Sequence, residues 1–280
     1  MLATRILTAA VLIPLTLAAL FLLPPRAFGI VLLIVMLAAA HEWNRLAGLR
    51  RGGAAIFFVG VLLFGGWLLF GPAGFDSGWP RGVVLAVCGV ATVFWLLVGT
   101  PWVLGRWPRR SPLVMTLVGW IILAGVFVAL VELQARSPWL VLAAMAIVWI
   151  ADTAAYFSGR AFGRRKLAPE ISPGKTWEGV YGALVAVAIY ALALVPLARV
   201  AGFGARVDVA VVAAWILLAL ALAAISIVGD LFESWLKRQA GVKDSGSVLP
   251  GHGGVLDRTD ALLAAMPPAA LAASLFLHHG

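Results

Sequence analysis

The sequence predicts an all-α polytopic membrane protein of about nine transmembrane helices, with the N-terminus cytoplasmic and the C-terminus outside. Composition points to the class: 63% of residues are apolar and 12% charged, with a mean hydropathy of +1.03, against about 45–50% apolar and about 25% charged in soluble domains. The length of the apolar runs points to helical spans, since about 17–25 residues cross the hydrocarbon layer. The placement of Lys and Arg points to the orientation.

Runs bounded by charge or by Pro and Gly fall near 6–23, 27–44, 54–71, 83–100, 112–131, 139–158, 177–198, 208–228 and 261–277. The first follows Arg5 as a secretory signal would, but it is already of bilayer length, and Pro24-Pro25 follows it in place of a small-residue cleavage site. It therefore counts as a span. The second ends in His41, Glu42 and Asn44, a small polar cluster that fits an interface cap. After the third, GPAGFDSGWPR reads as an interfacial turn with an aromatic anchor. Within the fourth, Cys88 is the single cysteine, which excludes disulfides and fits a small core or lipid-facing residue. The seventh carries Pro196 near its end, and His278 and His279 after the ninth read as tail. The twelve Trp fall mostly at span ends, as an aromatic belt would place them.

With nine spans, the N-terminus and the even loops collect 16 of the 21 Lys and Arg residues, and that side should be cytoplasmic. The net charge of +9 then matches anionic headgroups, and nucleic acid is not expected as a partner. The same side receives the two longest polar connections, 159–176 and 229–260. Eight of the 12 acids lie in or beside them: Asp152, Glu170, Glu178, Asp230, Glu233, Asp244, Asp257 and Asp260. A single membrane domain, 1–280, is expected, with catalytic spans in 139–280. The spans of 1–138 carry few acids and serve either as a supporting bundle or as an oligomer contact, such as a homodimer.

The chemistry concentrates in SWLKRQAGVKDSGSVLPGHGGVLDRTD, residues 234–260. Basic side chains and glycine-freed N–H groups suit phosphate oxygens, and carboxylates a turn apart suit a hard divalent cation. Read as a helix, 225–238 places Ser226, Asp230, Glu233 or Ser234, and Lys237 on one face. Alone this could be a solvated set of charge pairs. Asp257 and Asp260 shift the balance, because they share one side of a turn at the start of the ninth span. Carboxylates from two adjacent helix ends form a plausible Mg²⁺ platform, the alternative being a salt bridge with Arg258 or Lys243. Gly253 and Gly254 let a ligand approach the backbone, and His252 between Gly251 and Gly253 fits a structural hydrogen bond as readily as a catalytic role. Upstream, Asp152 lies in the cytoplasmic half of the sixth span, where an acid is a candidate site residue by default. Lys175 and Glu178 are candidates for substrate contact. S-P-G-K-T lacks the Walker spacing and carries no such claim, and the run Arg160, Arg164, Arg165, Lys166 fits positive-inside anchoring.

The pattern S-W-L-K-R-x4-K-D-x-G-x2-L-P-G-H-G-G-V-L-D-R-T-D, residues 234–260, resembles the motif of the phosphatidate cytidylyltransferases, the CDP-diacylglycerol synthases, without departure. D-T-A-A-Y-x2-G-R-x-F-G-R and S-P-G-K-T-W-E-G are similar to that family's second block. The likeness is close from about Trp149 to Asp260, and before that it extends only to apolar spans. It implies cytidylyl transfer from CTP to phosphatidate, giving CDP-diacylglycerol and diphosphate, at the cytoplasmic face; the short, Arg-rich, Lys-poor and Ala-rich chain points to a bacterial inner membrane. The likeness also implies Asp230 and Asp257 as Mg²⁺ ligands, with Asp152 and Asp260 as second choices. Lys237, Arg238, Lys243 and Lys175 would take phosphates, Asp244 and His252 would position the nucleotide or the loop, and Ser226, Ser234, Gly253, Gly254 and Arg258 would complete the substrate surface. Whether a monovalent cation assists Mg²⁺ is left open. Two other classes compete: a CTP-dependent enzyme acting on another lipid phosphate, and an ion-coupled carrier. A carrier would set its charges nearer mid-span.

Overall fold

Hydrocarbon leaves no water to satisfy a backbone, so each apolar run must close its hydrogen bonds within itself, and a helix does this. The computed structural model describes residues 2–71, 78–200, 208–251 and 253–276. Among these the helices are α1 (Leu2–Leu22), α2 (Pro25–Ala47), α3 (Arg51–Phe70), α4 (Arg81–Leu104), α5 (Pro112–Arg136), α6 (Pro138–Phe162), α7 (Trp177–Val200), α8 (Val209–Gln239) and α9 (Leu256–Phe276). Eight are long and apolar enough to cross a membrane, and α1 contributes the shorter apolar segment Ala10–Leu22. Three of the helices start with Pro at the first position, Pro25, Pro112 and Pro138, where the missing N–H costs nothing. At the start of α8, Asp208 caps by accepting from Val211 N at 2.8 Å.

Three features depart from the sequence expectation. α4 does not stop before Pro101. A π turn over Trp95–Gly99 absorbs the hydrogen bond that proline cannot make, and the helix resumes over Thr100–Leu104. The connection after α6 is not wholly irregular: β1 (Lys166–Ala168) and β2 (Ser172–Thr176) pair antiparallel, Lys166 opposite Thr176 and Ala168 opposite Ser172. Of the expected connection 229–260, the first eleven residues extend α8 and the last five open α9, leaving 240–255 as the true loop.

α5 and α9 are the most enclosed helices, with α9 packed against α4, α5 and α8. Not all Trp form a belt, because Trp43, Trp79, Trp95 and Trp102 are core residues. Phe232 of α8 meets Phe94, Trp95 and Trp102 edge-on at centroid distances of 6.2, 5.3 and 5.6 Å. Trp95 Nε1 donates to Leu263 O of α9 (3.0 Å), while Trp102 and Trp235 both donate to Trp107 O. This aromatic knot ties α4, α8 and α9 together directly beneath the charged ends. At the end of α5, Arg136 is not a loop cation but half of a buried pair with Glu132 (2.8 Å). Cys88 is fully buried.

Candidate active site

Where the C-terminal end of α8 meets the first turn of α9, carboxyl and ammonium groups converge. The helical period stacks Asp230, Ser234 and Lys237 on one face of α8. Hairpin strand β2 brings Lys175 to that face, its Nζ 2.5 Å from Asp230 Oδ2, while Ser234 Oγ donates to Asp230 Oδ1 at 3.2 Å. One turn further along α8, Lys237 Nζ lies between Glu233 Oε2 (2.5 Å) and Asp257 Oδ1 (2.6 Å). Asp152 of α6 and Asp260 of α9 are both near enough to Asp230 for their charges to repel.

Five carboxyl groups, Asp152, Asp230, Glu233, Asp257 and Asp260, thus face two ammonium groups, Lys175 and Lys237. Glu233 Oε1 is buried without a hydrogen-bond partner. Such a donor set is all hard oxygen and short of positive charge, which suits Mg²⁺ held by one or two carboxylates together with substrate phosphates. Among the described residues no group of three or more His, Cys, Asp or Glu side chains is arranged to hold a metal ion by itself.

Asp257 is held from its other side by the loop. Its Oδ2 accepts from Ser245 N (2.9 Å), Ser245 Oγ (3.0 Å) and Gly254 N (2.8 Å). Glu42, near the end of α2, lies beneath the same loop and accepts from Val255 N, Leu256 N and Ser245 Oγ, each at 2.9 Å. Gly246 and Gly254 permit that approach, since a Cβ on either would collide with the Glu42 carboxylate. Arg45 donates to Asp244 O (2.9 Å), and Thr8 of α1 to Pro250 O (2.9 Å).

The remaining expected residues take varied positions. Arg238 donates through Nε to Ile171 O at the hairpin tip (3.3 Å), fixing the element that carries Lys175. Glu178 accepts from Arg164 N and Arg165 N, closing the hairpin base. Ser226 is fully buried with its hydroxyl on Ala223 O (2.8 Å). Lys243, Asp244 and Arg258, in the loop 240–255 and the first turn of α9, are exposed. Gly253 closes an isolated bridge with Leu249, and His252 lies outside the described residues. The sequence reading of Glu42 as an interface cap missed its place beneath this loop, and Ser245 was passed over. An acid beside Trp43 near the end of an apolar run was the available signal for Glu42; nothing marked its partner 203 residues away.

The cytidylyltransferase family matches residues 3–276. The phosphatidate cytidylyltransferase of Haemophilus influenzae is 39% identical over 95% of this chain and 96% of its own. That of Pseudomonas aeruginosa is 42% identical over 95% of each, and that of Bacillus subtilis 34% identical over 75% of each.

Proposed function

Since the chain belongs to the cytidylyltransferase family, within it to the phosphatidate cytidylyltransferases, and is thereby a nucleotidyltransferase, we propose that it moves the cytidylyl group of CTP onto phosphatidate, releasing CDP-diacylglycerol and diphosphate. The observation that carries the reading is the pair of ammonium–carboxylate contacts, Lys175–Asp230 and Lys237–Asp257, set at the meeting ends of two spans. A lipid phosphate held at the membrane boundary and a water-soluble triphosphate can reach each other only at such a place.

In this reading a phosphatidate oxygen attacks the α-phosphorus of CTP in line as the bond to diphosphate breaks. The phosphate monoester, with a second pKa of about 6, is already largely ionised near neutral pH, so no side chain need remove a proton. Lys175 and Lys237 hold negative oxygens of the two substrates, with exposed Lys243 and Arg258 meeting the triphosphate. Asp230 and Asp257, with Asp152 and Asp260 beside them, would hold Mg²⁺, which supplies neutralisation of charge on the α-phosphoryl and leaving oxygens. Arg238, acting through the hairpin, keeps Lys175 in place.

The multi-pass chain sits, on this proposal, in a bacterial inner membrane with the site facing the cytoplasm, where CTP is made and where Lys and Arg concentrate. The test compares acceptors: purified protein in detergent, with CTP and Mg²⁺, is given phosphatidate or an isoprenoid monophosphate. Diphosphate release with phosphatidate supports the reading. Release with the isoprenoid phosphate alone moves the assignment to another lipid phosphate.

A further inference from the structure

Glu42 belongs to α2, far in sequence from every residue of the charged cluster, yet it is 2% exposed and its carboxylate is fully used by the loop that carries Asp257. Two of its three donors, Val255 N and Leu256 N, are among the N–H groups that a helix start leaves without intrahelical partners. A carboxylate supplied from another helix satisfies them and complements the positive end of α9. The third donor differs in kind. The hydroxyl of Ser245, itself 1% exposed, stands between Glu42 Oε2 (2.9 Å) and Asp257 Oδ2 (3.0 Å), with one hydrogen for two carboxylate oxygens. From Asp257 the chain continues to Lys237.

We propose that Glu42 is a positioning residue for the transfer reaction: through Ser245 and the start of α9 it sets the place of Asp257, and through Asp257 that of the Lys237 ammonium. The inference rests on the reading above, in which Asp257 and Lys237 act on the substrates. A purely structural capping role would contribute stability alone. The shared hydroxyl makes the stronger statement, because any movement of Glu42 alters what Asp257 Oδ2 is bonded to. The loop residues Asp244 and Gly246 are held by the same end of α2, through Arg45 and through contact with Glu42.

Glu42→Gln tests it, since an amide keeps the volume but cannot accept from three donors. The expected result is a fall of about tenfold or more in kcat/KM for CTP per folded molecule, with the KM for phosphatidate within about twofold and an unfolding midpoint that is lowered but stays above the assay temperature. Ser245→Ala, a milder change, should reproduce part of the loss. The double variant should be no worse than Glu42→Gln alone, because both act along one path. Hydrogen exchange supplies a readout that needs no turnover: amides of Ser245 and 254–256 should exchange faster in Glu42→Gln, and those of α6 and α7 should not. Wild-type kinetics and exchange in Glu42→Gln, additive losses in the double variant, or a loss accounted for by unfolded protein would each overturn the inference. Wild-type protein that turns over no CTP with phosphatidate would defeat the functional reading instead, leaving the exchange result to decide Glu42.

Discussion

Lys237 Nζ lies 2.6 Å from Asp257 Oδ1, joining the C-terminal end of α8 to the first turn of α9 across 20 residues of chain. The pair is mostly enclosed, with side chains 12% and 7% exposed, and Glu233 competes for the same ammonium at 2.5 Å. Two carboxylates on one lysine, with two backbone N–H groups and the shared Ser245 hydroxyl on Asp257, make this a held arrangement and not a surface charge pair.

Asp257→Asn removes the charge at nearly constant shape. The protein should still fold, at a cost of about 1–3 kcal/mol for disturbed buried hydrogen bonds, while turnover per folded molecule falls by about two orders of magnitude or more. Initial rates on detergent-purified protein, normalised to the folded fraction, check this. Ordinary Mg²⁺-dependent turnover would remove Asp257 from the site.

Lys175→Met separates binding from stability. Its partner Asp230 is 25% exposed, as Lys175 is, and a half-open pair of this kind is worth about 0–1 kcal/mol, so the unfolding midpoint should barely move. If Lys175 holds a substrate phosphate as proposed, activity should drop by about tenfold or more. A variant with full activity would make Lys175 a structural tether of the hairpin.

Phe232→Ala tests the aromatic knot. Fully buried against three rings, Phe232 should cost about 3–5 kcal/mol on truncation. The partly exposed edge pair Phe21–Trp139 should contribute far less, and Trp139→Ala is the control. Thermal unfolding in detergent compares the two.

The nine apolar runs were legible as helices because a span has one physical requirement, length without charge, and the runs state it directly. Asp230, Lys237 and Asp257 were legible as neighbours because two of them share a helical face and the third opens the next helix. The hairpin was not, since strands of three and five residues containing Pro173 and Gly174 leave no alternation to read. Nor was the role of Trp95: its indole is buried against Phe232 and donates to Leu263 O, partners that come from the far end of the chain. Glu42 looked like an interface cap because the donors it satisfies come from the far end of the chain.

Orientation can be tested with the chain's own composition. Cys88 is the single cysteine and is fully buried, so Lys243→Cys introduces one exposed thiol in the loop that leads to Asp257. In sealed inverted vesicles, with the cytoplasmic face outward, a membrane-impermeant maleimide should label it, and in right-side-out vesicles it should not. The reverse pattern would place the site on the opposite face.

The most direct measurement follows the phosphates themselves. Purified protein with phosphatidate and Mg²⁺ is given CTP labelled at the α-phosphate or at the γ-phosphate. The predicted result is α label in CDP-diacylglycerol and γ label only in diphosphate, in equal amounts and only when phosphatidate is present. Folded protein that leaves the lipid unlabelled by α-labelled CTP, or that places γ label on the lipid, would contradict cytidylyl transfer.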